Sequence, residues 1–425
     1  MIQATISALR LPDLRNKILF TLGMLVIFRV VAHIPLPNVD LELLQQRFEG
    51  DQLLGFLNLL SGGALENFSV VALGVYPYIT ASIIFNILVP IVPQLRELSR
   101  EGGDAGRRKL AFYTRLFTVP LAMMQGYAQI QILRAASPSP IGDLPPLTIL
   151  GMLTILAGGT MFLYWLGELI TERGIGNGVS IIILGGIVAG VPPALGQSLL
   201  GGEAFTGLVA FTVIGVLMVS AIVFVHEGQR RIPVSYAKRV RGNRMYGGRS
   251  THIPMKINSA GMIPLIFAFS IMLMPATIAQ YAATSDALWL AEFSGVLAGW
   301  FGPEAFPYWF MTFLLVVAFT FFYTIVIFNQ QNLPENLQKN GGFIPGIRPG
   351  RPTAAFLNRV LNRITLAGGL FLGLIAIVPF FVGLGTGVTT VALSSTGLLI
   401  TVGVVLDTMR QLESQLMMRE YEAFL

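Results

Sequence analysis

Three histidines, His33, His226 and His252, are the only imidazoles in the chain; they lie far apart in sequence, and cysteine is absent. Disulfides, thiolate metal sites and a cysteine nucleophile are thereby excluded, and no HExxH pair is present to hold zinc. Two glycine-rich stretches, GIGNG at 174–178 and EGGDAGRRK at 101–109, faintly suggest phosphate-binding loops. Neither has the Walker spacing and neither follows a strand, so nucleotide binding is not expected. GIGNG reads as a tight turn with Asn177 as a helix cap. The pairs Gly158–Gly159 and Gly185–Gly186 read as places of close helix packing.

The charged residues within apolar runs are Arg29, Arg115, Glu168 and Asp407. Each lies within about two turns of the end of its run, close enough to snorkel. No run has a carboxylate or histidine at its centre. That argues against a proton-coupled transporter and against a carboxylate or metal protease. Sodium coupling through backbone carbonyls stays open. The expectation is a protein with no catalytic residues, no cofactor and no metal.

The elements that would carry these residues are apolar. Of 425 residues, 54% are hydrophobic and 12% charged, against about 25% charged in soluble domains. Ten runs have the roughly 18–22 residues a helix needs to cross hydrocarbon: 18–34, 72–92, 111–133, 147–168, 178–196, 206–226, 259–280, 307–328, 364–383 and 391–409. Arg10, Arg15 and Lys17 precede the first, as in a signal peptide, but no small-residue cleavage site follows, so it reads as a retained span. Ile2, Ile6 and Leu9, with Arg10 beside them, suggest an amphipathic segment on the cytoplasmic surface. Pro77, Pro120, Pro264, Pro275 and Pro379 fall within runs and favour kinks.

Charge alternates between the connections. Loops 93–110, 227–258 and 329–363 are rich in Lys and Arg. Loop 35–71 carries Asp40, Glu42, Glu49, Asp51 and Glu66 against Arg47, and loop 281–306 carries Asp286, Glu292 and Glu304 without a cation. The positive-inside rule then places both termini in the cytoplasm. Five runs precede the connection 197–205 and five follow it. An odd number per half implies two inverted halves, 1–200 and 201–425. The fold class is an all-α polytopic membrane protein in two inverted halves.

Residues 55–79, GFLNLLSGGALENFSVVALGVYPYI, are apolar but cut by SGGALENFS. The piece from Gly55 to Leu60 is too short to span. It leads into a run that is long enough, as a re-entrant segment would.

Five stretches, SGGALENFSVVALGVYPYITASII (61–84), EGGDAGRRKLAFYTR (101–115), ERGIGNGVSIIILGGIVAGVP (172–192), KINSAGMIPLIFA (256–268) and GGFIPGIRPGRPTAAFL (341–357), resemble the SecY family in order along nearly the whole chain. SecY is the pore-forming subunit of the Sec protein-translocation channel. Outer loops 35–54, 134–146 and 281–306 are not matched.

The resemblance implies roles for particular residues. The broken segment, about 55–66, would be a plug closing the resting pore, with Gly55, Phe56, Leu59 and Leu60 in it and Ser61, Gly62 and Gly63 as a flexible hinge. A re-entrant loop without a gating role is the structural alternative. Val75, Ile79, Val179, Ile183, Ile266 and Ile400 would form an aliphatic ring that dewets and resists ion leak; by composition alone they are ordinary span residues. Thr80, Asn86 and Asn258 would line a lateral gate between the second and seventh spans, although Asn258 suits a helix cap equally well. Arg239, Arg241, Arg244 and Arg348 would dock the SecA motor ATPase or the ribosome, through rRNA phosphates in the latter case; alternatively the cations enforce topology alone. The expected partners also include SecE, SecG, signal peptides, nascent chains and membrane lipid. A bacterial inner membrane is expected rather than a thylakoid. The rival reading is a secondary transporter with broken helices, and a third is an intramembrane enzyme.

Overall fold

A backbone surrounded by hydrocarbon must satisfy its own N–H and C=O groups, and helices do this within one segment. Each of the ten apolar runs falls on a helix in the computed structural model. The structure describes residues 11–48, 58, 61–100, 103–134, 139–142, 144–200, 205–236, 239–241, 244–246, 250–261, 263–283, 288–302, 305–331, 333–386 and 389–423.

The first helices are α1 (Pro12–Ala32), α2 (Leu41–Phe48), α3 (Tyr76–Ile91), α4 (Pro93–Arg100), α5 (Gly103–Arg134), α6 (Pro146–Arg173), α7 (Gly178–Leu200) and α8 (Phe205–Glu227). Strands β1 (Gln229–Tyr236), β2 (Arg239–Arg241), β3 (Arg244–Tyr246) and β4 (Ser250–Lys256) follow. Then come α9 (Ile263–Ala283), α10 (Leu288–Phe301), α11 (Phe306–Gln331), α12 (Leu333–Lys339), β5 (Gly342–Phe343), α13 (Arg351–Thr386) and α14 (Thr389–Ala423).

Several elements depart from the sequence expectation. The stretch 227–258, read as a loop, is largely antiparallel sheet: β1 pairs β4 from Gln229↔Lys256 to Ser235↔Ser250, and β5 adds to β1 through Ser235↔Phe343. In β1, exposed Arg230 and Arg231 give way to buried Ile232 and Val234, a half-buried strand pattern. The acidic connections 35–71 and 281–306 contain α2 and α10, which are short. Helices α13 and α14 extend beyond their apolar runs because the flanking segments, rich in Arg, Leu, Gln and Met, also favour helix.

Pro77 and Pro264 do not kink a helix. Both occupy a first turn, of α3 and α9, where the missing N–H has no intrahelical partner to lose. Pro120 and Pro275 lie inside α5 and α9 as expected. Val92, held extended before Pro93, marks a 101° bend between α3 and α4.

By length and composition, Pro146–Arg173, Phe306–Lys339 and Arg351–Val378 qualify as membrane spans among the described residues, and the bent α3–α4 pair passes the same test. Large apolar side chains face outward, including Val216, Leu217 and Phe224 on α8 and Leu19, Val26 and Val30 on α1. Such a surface suits lipid rather than water.

The main apolar core lies among the helices and includes the irregular segment 64–75, with Ala64, Phe68 and Val71 fully enclosed. Gly159 of α6 makes this possible. A methyl there would overlap the Val70 carbonyl oxygen, so the close packing expected at this glycine is helix against loop. A second cluster, with Ile232, Val234, Met255, Leu337 and Leu357, lies beneath the sheet.

Candidate functional site

The aliphatic residues expected at a constriction come from four helices. Val75 immediately precedes α3, and its carbonyl accepts the Ile79 N–H at 3.0 Å. Val179 and Ile183 open α7, whose start is capped by Asn177: its Oδ1 accepts from Ser180 N at 3.2 Å. Ile266 lies in the first turn of α9 and Ile400 within α14. Val75, Ile79, Ile183, Ile266 and Ile400 are buried in the main cluster, and Val179 packs against it half-buried. Helix α3 packs on α9, and α7 packs on α14.

The GIGNG turn has no room for a phosphate. Ile175 N donates to Thr21 Oγ1 at 3.2 Å, Gly178 N donates to Thr171 Oγ1 at 2.8 Å, and a methyl on Gly176 would meet Thr408. Neighbouring side chains use the groups that a phosphate would need.

Of the expected plug residues, Gly55, Phe56, Leu59 and Leu60 lie outside the described residues. Ser61, Gly62 and Gly63 form a helix end. Asn58 and Ser61 are helical, and Gly63 N donates to Asn58 O at 2.8 Å. Gly62 has φ +75°, the left-handed conformation that closes such a terminus. Asn58 also accepts from Glu66 N at 3.0 Å and donates to its carboxylate at 3.2 Å.

At the α3–α9 seam, the three polar residues named from sequence do not bond across it. Thr80 donates to Tyr76 O at 3.1 Å within its own helix. Asn86 donates to Ser82 Oγ at 3.5 Å, also within α3. Asn258 is buried before α9, with Nδ2 3.4 Å from His226 Nδ1. The bond that crosses is one the sequence reading missed: Tyr76 Oη donates to Ser270 O at 2.9 Å. Buried tyrosine hydroxyls seek a partner, and this signal was available in the sequence.

Three of the charges within the runs, Arg115, Glu168 and Asp407, have side-chain partners. Arg115 Nη2 donates to Glu168 Oε1 at 2.7 Å, with its guanidinium 5.3 Å from the Tyr164 ring. His226 Nε2 lies 3.1 Å from Asp407 Oδ1, and Arg410 bonds both Glu227 Oε1 at 3.0 Å and the His226 carbonyl. This network joins the end of α8 to the middle of α14 and to the segment before α9. At its edge, partial desolvation and then Arg410 lower the Lys256 pKa, opposed by Asp407 and Glu227.

The sheet brings the two basic connections together. Arg239, Arg241 and Arg244 lie on the β2–β3 ladder, which pairs Arg239↔Tyr246 and Arg241↔Arg244. Arg348 is exposed in a turn between Gly346 (φ +82°) and Gly350 (φ +99°), pinned by buried Ile344 and by Thr353 Oγ1 donating to Arg348 O at 2.8 Å. Because β5 joins β1, the loop of Arg348 and the base of the arginine-bearing hairpin share one sheet.

The sequence pattern of the SecY family matches residues 69–409. The chain belongs to the SecY family. "Protein translocase subunit SecY" of Streptomyces coelicolor is 45% identical over 441 residues, covering 100% of both chains. A structure of a SecY channel, solved to show how its plug domain stabilises the closed state and maintains a membrane seal, matches with TM-score 0.62. It is 18% identical and covers 94% of this chain and 92% of that one. Sec61 in the canine ribosome-channel complex matches with TM-score 0.60 and 17% identity, covering 94% and 92%. Both likenesses concern the fold. SecY membership makes the chain a multi-pass membrane protein and a protein-translocase subunit, not an enzyme.

Proposed function

We propose that the chain is the pore subunit of a passive, gated protein translocase in a bacterial plasma membrane. Ten spans in two inverted halves, 1–200 and 201–425, with both termini cytoplasmic, surround the path. A secretory chain enters from the cytoplasmic side, displaces the plug at about 55–66, and passes a waist of Val75, Ile79, Val179, Ile183, Ile266 and Ile400. Apolar segments leave sideways between α3 and α9 into lipid, past Thr80, Asn86 and Asn258.

The observation that carries this reading is the burial of aliphatic residues from α3, α7, α9 and α14 in one cluster beside the re-entrant segment. An apolar waist excludes water and ions and offers no polar group to hold a passing peptide. With no catalytic machinery, the energy must come from outside. The sheet-borne arginines Arg239, Arg241 and Arg244, together with Arg348, suit docking of the SecA motor ATPase or of the ribosome through rRNA phosphates. SecE would brace a seam that opens to lipid, and SecG would bind peripherally.

Reconstitution tests the function directly. Vesicles containing the chain with SecE should protect a secretory precursor from protease only when SecA and ATP are added. Saturable uptake of a small solute, without precursor protection, is the result expected of the rival secondary transporter.

A further inference from the structure

Arg29 lies in the last turn of α1, and among the described residues no carboxylate pairs with it. Its Nη1 instead donates to Gly62 O at 2.8 Å. A carbonyl just past a helix end lacks an intrahelical partner, and a guanidinium taken partly out of water needs an acceptor. The two groups satisfy each other. On the other side of Gly62, backbone meets backbone. A methyl on Gly62 would lie 2.8 Å from Gly186 Cα and 2.7 Å from Phe28 Cζ, and one on Gly186 would overlap Gly62 Cα. Ser61 is 5% exposed; its Oγ donates to Asn58 O at 2.9 Å and accepts from Leu65 N at 3.1 Å. Gly186 stands three residues beyond Ile183 on α7, one turn along the same face.

We infer that Arg29 is a positioning residue that clamps the C-terminal base of the plug at Gly62 against Gly186, one turn outside the waist, and that this base stays clamped while the rest of the plug moves. The inference rests on the plug reading above. A clamped base keeps the displaced plug on a short tether, so its effective concentration at the pore remains high and it reseats quickly. Releasing the base lengthens the tether to the next fixed point and weakens the seal without blocking the path.

Two measurements test it. The first is resting ion leak through the reconstituted channel. Arg29→Gln should raise leak about tenfold, the factor that corresponds to losing one hydrogen bond to a charged group, while precursor translocation continues. Arg29→Lys, which retains a cationic donor, should restore most of the seal. The second uses the absence of native cysteine. In the Ser61→Cys variant the thiol should stay protected from a membrane-permeant maleimide both at rest and with a stalled secretory chain in the pore. Labelling that appears only with the stalled chain overturns the clamp, and it does so even if the Arg29 variants fail to accumulate. If deletion of 57–65 leaks but Arg29→Gln does not, the clamp is wrong and the plug stands. If the deletion does not leak either, the plug reading fails and the clamp with it.

Discussion

Tyr76 and Ser270 are joined across the α3–α9 seam by a hydrogen bond of 2.9 Å from the tyrosine hydroxyl to the serine carbonyl, and both residues are buried. The bond links two helices that must separate if an apolar segment is to reach lipid. One neutral bond contributes about 1 kcal/mol, enough to bias a closed state and small enough to break reversibly.

Replacing Tyr76 with Phe removes that bond and keeps the ring. Export of precursors with weak signal sequences should rise about fivefold, the ratio expected for about 1 kcal/mol of lost closure. Ser270→Ala is the control: the acceptor is backbone, and the Ser270 hydroxyl has no partner among the described residues. Equal export by Tyr76→Phe and the native chain would remove this bond from the gate.

Ile400, which the proposed function puts at the waist, is fully buried. Ile400→Asn places an amide where only apolar neighbours are expected, wetting the ring. Resting conductance should increase and the requirement for a strong signal sequence should relax. Unchanged conductance and unchanged selectivity together would place Ile400 away from the constriction.

Charge reversal at Arg348 should impair SecA-driven export at least tenfold, as expected when an exposed guanidinium contact becomes a like-charge clash. Membrane insertion and topology should be normal, since the turn is held by Ile344, Thr353 and two left-handed glycines rather than by the arginine side chain. Precursor-protection assays alongside protease mapping of the loops separate the two effects.

Gly159→Ala tests the packing of the re-entrant segment. The added methyl has no space beside the Val70 carbonyl, and overpacking of this kind costs about 1–3 kcal/mol. The melting temperature in detergent should fall by several degrees. Gly158→Ala, where nothing lies within 4 Å, should melt like the native protein.

The long helices were legible because hydrocarbon imposes length and composition on a helix. GIGNG was legible as a turn because Asn177 has the side chain a cap requires. The sheet was missed because β1 shows its alternation over only a few residues, Arg230 to Tyr236, inside a stretch dominated by charge. Pro77 and Pro264 were misread because a proline's effect depends on its distance from the helix start, which apolar runs do not mark. Thr80, Asn86 and Asn258 were assigned to the gate by the family resemblance; in the structure their hydrogen bonds go to local acceptors or lie beside His226, a pairing that the sequence does not show. Arg29 and Asp407 were visible as costly charges, but their partners, Gly62 and His226, lie 33 and 181 residues away and are set by packing.

The central claim is that a translocating polypeptide passes between α3, α7, α9 and α14. Photo-crosslinkers placed singly at Ile79, Ile183, Ile266 and Ile400, with a secretory chain stalled in transit, measure this directly. Adducts to the stalled chain from all four positions, and none from lipid-facing Val216 or Phe224, are the predicted result. No adduct at any of the four, with the chain demonstrably lodged in the membrane, would contradict the account.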